Sequence, residues 1–204
     1  MIIMIGADKF PVINKIHLIK LNFTPFPNLE TSRLVLRQIK LEDEAEIFIL
    51  RSDARVNEFL ARERACSIED ARNFINMINA KIRNNETVMW AITTKNSSKL
   101  IGTIVFWNIS KENSTAEIGY ELNPDFQGKG IMQEAISKVI GFGFESMEIQ
   151  IIEAYTTVDN RKSIKLLEKN GFIIKPLSEN KEELKTTIVY SLHNNKSGSS
   201  ISLS

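Results

Sequence analysis

Three strand-like stretches joined by very short links constrain this chain more than anything else in it. "TVMWAITTK" (87–95), "KLIGTIVFWNI" (99–109) and "STAEIGYEL" (114–122) are rich in β-branched and aromatic residues. The links "NSS" and "SKEN" are too short for a crossover, which takes a dozen residues or more, so the three strands must run antiparallel. Directly after the third comes "PDFQGKGIMQEAI" (124–136), which sets Gly128 and Gly130 at the mouth of a helix covering about 129–146. A sheet strand feeding a helix through two glycines is a specific local design, and the question is what it is for.

The surrounding pattern predicts an α+β fold of mixed α/β order. "RLVLRQI" (33–39) alternates as a strand, and "LEDEAEIFILRS" and "SIEDARNFINMINAKIRNN" follow as amphipathic helices. In the second, Ser67 with Asp70 three residues on comes close to a capping box, and Ile68, Ala71, Phe74, Ile75 and Ile78 make one apolar stripe. Beyond the glycines, "IQIIEAYTTV" (149–158) is a strand and "NRKSIKLLEKNG" (160–171) a helix ended by Gly171. "FIIKPL" and "KTTIVYSLH" are two final strands. The expectation is a central, mostly antiparallel sheet of six to seven strands flanked by about four helices. Residues 1–28 read as an N-terminal extension with a loosely alternating "INKIHLIKLNF". Residues 29–193 form one domain, and 194–204 are a polar, disordered tail. The aromatic residues Trp90, Phe106, Trp107, Phe142 and Phe144 are expected in the core.

Composition removes several function classes. Lys+Arg 26 against Asp+Glu 25 leaves a net charge of +1, which gives no basic footprint for nucleic acid. The single cysteine, Cys66, allows no internal disulfide and suits a reducing cytosol, and it has no partner base that would make it reactive. Two histidines far apart, His17 and His193, offer no metal-ligand spacing. "MIIMIGADKF" is apolar but breaks at once into Asp8 and Lys9, so neither a signal peptide nor a membrane span is expected. The chain is expected to be cytoplasmic, without metal, nucleic-acid or membrane partners.

The glycines point to an anion. A helix N-terminus carries unpaired N–H groups and about half a positive charge, and glycines without Cβ let a phosphate approach it. An ordinary strand-to-helix turn is the plainer alternative. A P-loop is excluded because Lys129 precedes Gly130. A dinucleotide fingerprint would need a third glycine at Gln133, and only Glu153, the acid some way downstream, suits it.

"PDFQGKGIMQEAI" resembles the pyrophosphate loop of the GNAT superfamily of N-acetyltransferases, whose pattern is Gln/Arg-x-x-Gly-x-Gly/Ala. Gln127 and Gly130 match, and Met132 stands where Gly or Ala is usual, as in the RimJ/RimL-type branch that acetylates ribosomal-protein N-termini. "LETSRLVLRQIKLEDEAEIF", "AEIGYEL" and "DNRKSIKLLEKNGF" resemble other segments of that branch, in the right order across about residues 29–192.

That resemblance implies a GNAT-like fold whose sheet splays apart, with acetyl-CoA (coenzyme A after transfer) as cosubstrate in the gap. The main chain at Ile118, Tyr120 and Leu122 would pair with the pantetheine arm. Gln127, Gly128, Lys129, Gly130, Ile131 and Met132 would hold the diphosphate, and Asn160 would lie at the thioester end while also capping its helix. It implies direct attack by a primary amine, either a protein N-terminal α-amine or a small-molecule amine. Glu117 would act as base through water, with Glu153 second, and an N–H near Ile118–Tyr120 would hold the developing oxyanion. Many relatives have a tyrosine acid where this chain has Leu167. Ser163 is the replacement the resemblance offers, with a local helix hydrogen bond as its plainer role. Glu58, Glu63, Glu117 and Glu121 would attract a cationic amine if clustered. A terminal arm of this kind suits contact with a second copy of the chain, a homodimer. Two other readings are a coenzyme A-binding sensor without transferase activity and a nucleotide-dependent oxidoreductase.

Overall fold

The computed structural model describes residues 19–175 and 187–195. Among them the sheet has eight strands: β1 (Leu29–Glu30), β2 (Leu34–Gln38), β3 (Val88–Thr94), β4 (Ser97–Ser110), β5 (Thr115–Leu122), β6 (Ile151–Thr157), β7 (Ile173–Ile174) and β8 (Thr187–His193). The helices are α1 (Glu44–Ser52), α2 (Ala54–Asn57), α3 (Ile68–Arg83), α4 (Ile131–Glu145) and α5 (Arg161–Lys169). Spatial order is β1-β2-β3-β4-β5-β6-β8-β7. The mixed, mostly antiparallel architecture is the one the sequence predicts. The extra strand is the two-residue β1 and the extra helix the four-residue α2, both too short to leave a periodic signal. Of "FIIKPL", Ile173 and Ile174 form strand among the described residues; residues 176–186, 1–18 and 196–204 lie outside the described residues.

The hairpins form as the link lengths require: β3 pairs antiparallel with β4 and β4 with β5. β3 is buried along nearly its whole length, because helices cover both faces of the sheet there. On one face α4 packs against the strands, with the Phe142 ring 5.4 Å from fully buried Trp90. Gly143 makes that approach feasible, since a Cβ there would lie 2.9 Å from the Phe106 ring. α3 starts on the expected capping box, with the Asp70 amide donating to Ser67 Oγ and the Ser67 amide to the Asp70 carboxylate. Its Ala71, Ile75, Ile78 and Ile82 are buried.

Of the loosely alternating "INKIHLIKLNF", residues 13–18 lie outside the described residues, and Ile19–Asn28 form no strand before β1. Ile19 and Phe23 are nevertheless buried in the core, and the Lys20 amide donates to the Met147 carbonyl. Side-chain burial and isolated backbone hydrogen bonds, rather than strand pairing, anchor these residues. Trp107 is the other departure: it is 48% exposed instead of buried. Adjacent residues on β4 face opposite sides, so fully buried Phe106 forces Trp107 onto the far face.

Candidate active site

The sheet comes apart at one place. β5 and β6 run parallel, but their ladder covers only Thr115↔Ile151, Ala116↔Ile152 and Glu117↔Glu153. β5 continues to Leu122 and β6 to Thr157, so the two strands leave a wedge between Ile118–Leu122 and Ala154–Thr157. Along that wedge the outward main-chain groups of β5 have no strand partner among the described residues, and such groups seek one. The Gln127 side-chain amide donates to the Leu122 carbonyl at 3.0 Å and closes the wide end.

At that wide end lies the glycine loop. A short 3-10 turn over Pro124–Phe126, capped by Asn123 Oδ1 accepting from the Asp125 amide, turns the chain out of β5. Gly128 and Gly130 have φ of +75° and +73°, left-handed values that side chains resist. No atom stands within 4 Å of a Cβ built on Gly128, and Gly130 meets only Arg33 Nη2, at 3.5 Å. Gly130 is the N-cap of α4 and offers no side-chain acceptor to the first-turn amides. The loop therefore leaves open space beside the first-turn amides of α4, which no side chain of the cap residue satisfies.

Two cations missed from the sequence converge on it. Arg33, on the turn before β2, donates from Nη1 to the Lys129 carbonyl at 3.1 Å, and Lys162 of α5 donates to Gln127 Oε1 at 3.0 Å. Neither shows any local pattern, because their proximity to the loop is purely tertiary. The Lys129 ammonium turns back to the Asp125 carbonyl at 2.8 Å. Glu134 fixes the whole corner, accepting from the Arg33 amide, Arg33 Nε, Thr31 Oγ1 and Ser32 Oγ. Desolvation would raise its pKa, but these donors outweigh it and hold the carboxyl down at about 2.

The faces of the wedge differ. Ile118, Tyr120 and Leu122 point toward α4 and α5, and Glu117, Gly119 and Glu121 toward the α1–α3 connection. On the α5 side, Asn160 caps the helix by accepting from the Ser163 amide at 3.1 Å, as its sequence context predicts. Ser163 Oγ lies 2.8 Å from the Tyr120 hydroxyl, a bond that joins α5 to β5. Burial pushes the Tyr120 phenol up to about 12, against a smaller opposite effect from Ser163. Leu167 is fully buried and takes no part.

On the open side, Glu117 accepts from the Asn108 side-chain Nδ2 at 3.0 Å, opposite Trp107 on β4 and Glu153 on β6. Glu153 is committed elsewhere, 2.6 Å from the Lys175 ammonium and within reach of the Tyr155 hydroxyl. Partial burial, then the Glu153 and Glu117 charges, raise the Tyr155 phenol above its ordinary value, which places the three groups in one electrostatic neighbourhood. The Trp107 indole lies over Gly119, where a Cβ would come 3.9 Å from Nε1. The four acids Glu58, Glu63, Glu117 and Glu121 do not act as one set. Glu121 is nearly buried and pairs with Arg62 at 2.6 Å, with Thr103 Oγ1 donating to its other oxygen. Glu58 instead lines a cleft of about 500 Å³ with Phe59, Leu60, Ala61, Thr157 and Asp159, above the end of β6. Among the described residues no group of three or more His, Cys, Asp and Glu is placed to hold a metal, and no helix is long and apolar enough to cross a membrane.

A sheet parted between two parallel strands, with an open helix mouth at the wide end, is the arrangement of an acetyltransferase. Residues 33–173 match the Acetyltransferase (GNAT) domain family, and this chain belongs to that family. Uncharacterized N-acetyltransferase YoaA of Bacillus subtilis (strain 168) is 38% identical over 147 residues, 72% of this chain and 83% of that protein. The ribosomal-protein-serine acetyltransferase of Escherichia coli (strain K12) is 40% identical over 76 residues, 37% of this chain and 42% of the relative. The crystal structure of the microcin C7 self-immunity acetyltransferase MccE, in complex with acetyl-CoA and AMP, superposes with a TM-score of 0.68 at 27% identity, covering 80% of this chain and 94% of the other. The protein is an N-acetyltransferase with RimJ/RimL-like relatives, and its fold is the GNAT fold.

Proposed function

We propose that this enzyme transfers acetyl from acetyl-CoA to a primary amine by direct attack with both substrates bound. The observation that carries the reading is the termination of the β5–β6 ladder at Glu117, directly upstream of an uncapped, glycine-flanked helix mouth. The main chain of Ile118, Tyr120 and Leu122 completes a strand-like ladder with the pantetheine arm. The amides from Gly128 to Met132 take the diphosphate, and Gln127 shapes the turn beneath it. Arg33, Lys129 and Lys162 add positive charge around the loop. Asn160 and Ser163 stand at the thioester end.

The acceptor amine enters from the open face beside Glu117, opposite α5. Glu117 takes the proton that the amine must lose, through water, because Lys175 occupies Glu153 and leaves Glu117 the freer carboxylate. A protein α-amine, with a pKa near 8, needs less help than a lysine near 10.4, so an N-terminal amine suits a single solvent-connected base. An amide N–H in the Ile118–Tyr120 stretch steadies the charge on the acyl oxygen. The partner is accordingly a protein N-terminus, such as that of a ribosomal protein, or a small-molecule amine.

Acetyl-CoA is offered with a panel of N-terminal peptides and small amines, and free thiol is followed with time. Amine-dependent thiol release is the expected result. Stoichiometric acetyl-CoA binding without release for every amine would instead fit a coenzyme A sensor, the reading that the buried Leu167 favours.

A further inference from the structure

We infer that Trp107 and Tyr155 are specificity-determining residues that bracket the acceptor and bind it as an ammonium ion beside Glu117. The inference rests on the transferase reading above and names the acceptor's chemistry: a primary amine on an alkyl chain, cationic when it arrives.

Four side chains on one face of the sheet carry the argument. Trp107, Glu117 and Glu153 occupy one rung across β4, β5 and β6, and Tyr155, two residues past Glu153, shares their face. The β5–β6 ladder stops at that rung, so Gly119 and Tyr155 stand on opposite banks of the wedge just beyond it. From β4 the Trp107 indole leans onto β5, its Nε1 3.9 Å from a Cβ built on Gly119. From β6 the Tyr155 ring leans back, its hydroxyl donating to Glu153 Oε2 at 3.4 Å. Two rings thus converge from opposite banks on the end of the ladder, where the acceptor meets the thioester. Both residues are 48% exposed, whereas Phe106 beside Trp107 is fully buried. A single exposed ring needs no explanation, but two that flank the same pair of carboxylates do.

Charge decides what the bracket holds. Lys175 neutralises Glu153 at 2.6 Å, while Glu117 has an uncharged donor, Asn108 Nδ2, and no ion-pair partner among the described residues. Two carboxylates against one lysine leave a net negative charge at Glu117, which one ammonium balances. Ring faces attract a cation through their quadrupole, and the carboxylate attracts it by charge, so all the groups select the same ligand. A neutral or anionic acceptor gains from neither.

The bracket acts on binding and not on bond making. The first ammonium proton passes through water to Glu117 and on to solvent. The neutral nitrogen then bonds to the acyl carbon, and the carbon–sulfur bond breaks with its electron pair to sulfur. The second nitrogen proton goes through water to the thiolate. Ring contacts made with the ammonium are gone when nitrogen attacks, so they set the amine KM and leave kcat alone. The amide product is uncharged, so the site that gathers the substrate releases the product.

The test compares butylammonium with butan-1-ol, alike in length and different in charge, on enzyme saturated with coenzyme A near neutral pH. Ligand-observed NMR should show the wild type binding butylammonium about tenfold more tightly than the alcohol. Trp107→Leu and Tyr155→Leu should each lower that preference about three- to fivefold, the worth of one cation–ring contact at an exposed site. Trp107→Phe and Tyr155→Phe keep a ring and should hold the preference within about twofold. Equal binding of both probes by the wild type, or an undiminished preference in both leucine variants, overturns the inference. All four substitutions fall on half-exposed side chains, which the fold tolerates. With any amine that releases thiol, the leucine variants should raise the amine KM about three- to fivefold, with kcat within about twofold. A lower kcat at unchanged amine KM would also overturn it. If no amine releases thiol, the transferase reading fails and the NMR comparison still decides the bracket. Thiol release without a preference for the cation sinks the bracket alone.

Discussion

Substituting Gly130 by alanine separates the phosphate cradle from ordinary turn geometry. Gly130 has φ of +73°, and a non-glycine residue in that region costs about 1–2 kcal/mol. In a domain of this size that strain lowers the melting temperature by about 2–8 °C. The new Cβ would meet only Arg33 Nη2, at 3.5 Å, an ordinary contact, so no collision adds to the strain. The loop can relieve it only by turning the amides of Ile131 and Met132 away from their common focus. Each hydrogen bond to a charged phosphate lost that way is worth about 1.5–3 kcal/mol, so acetyl-CoA should bind about 10- to 150-fold more weakly. Gly171→Ala is the matched control. Its φ is +83° and its Cβ would lie 3.6 Å from Leu192 Cδ1, but it stands at the far end of α5. Calorimetric titration with acetyl-CoA, beside thermal melts, should show similar melt shifts for both variants and an affinity loss for Gly130→Ala alone. Affinity within threefold of wild type in Gly130→Ala, with the melt shift present, would refute the cradle.

Other predictions bear on the acid groups. Glu117→Gln should lower kcat at least tenfold and flatten its pH dependence, with acetyl-CoA affinity unchanged by titration; unchanged turnover would move the base to Glu153 or to solvent. Glu134, held at about 2, contributes stability that is complete above the ordinary carboxylate range and is lost as pH falls through about 2. Melts from pH 6 to pH 2 should show a steeper decline for the wild type than for Glu134→Gln. Arg62→Met should leave the Glu121 carboxylate buried without its partner and cost about 3 kcal/mol in urea unfolding. A loss below 1 kcal/mol would mean that Glu121 reaches solvent.

Much of the fold is legible in the chain itself because local rules determine it. The 96–98 and 110–113 links force hairpins, and the Ser67–Asp70 box starts α3 where it is observed. Asn160 caps α5, and Gly128 and Gly130 take the left-handed backbone their loop requires. Each of these is decided within a few residues. Trp107 is a misreading of the same kind of signal. Alternation reveals that Phe106 and Trp107 face opposite ways but not which face is covered, and that depends on where α4 packs.

What the sequence alone determined, then, was the order of elements, the hairpin meander and the left-handed glycine turn at the mouth of α4. Only the tertiary structure decided where the β5–β6 ladder stops, that Arg33 and Lys162 flank the loop, that Lys175 occupies Glu153, and that Tyr120 reaches Ser163. The physical reason is range. Turn, cap and backbone preferences act over a handful of residues, whereas ion pairs and side-chain hydrogen bonds join groups tens of residues apart, positioned only once both sheet and helices have packed.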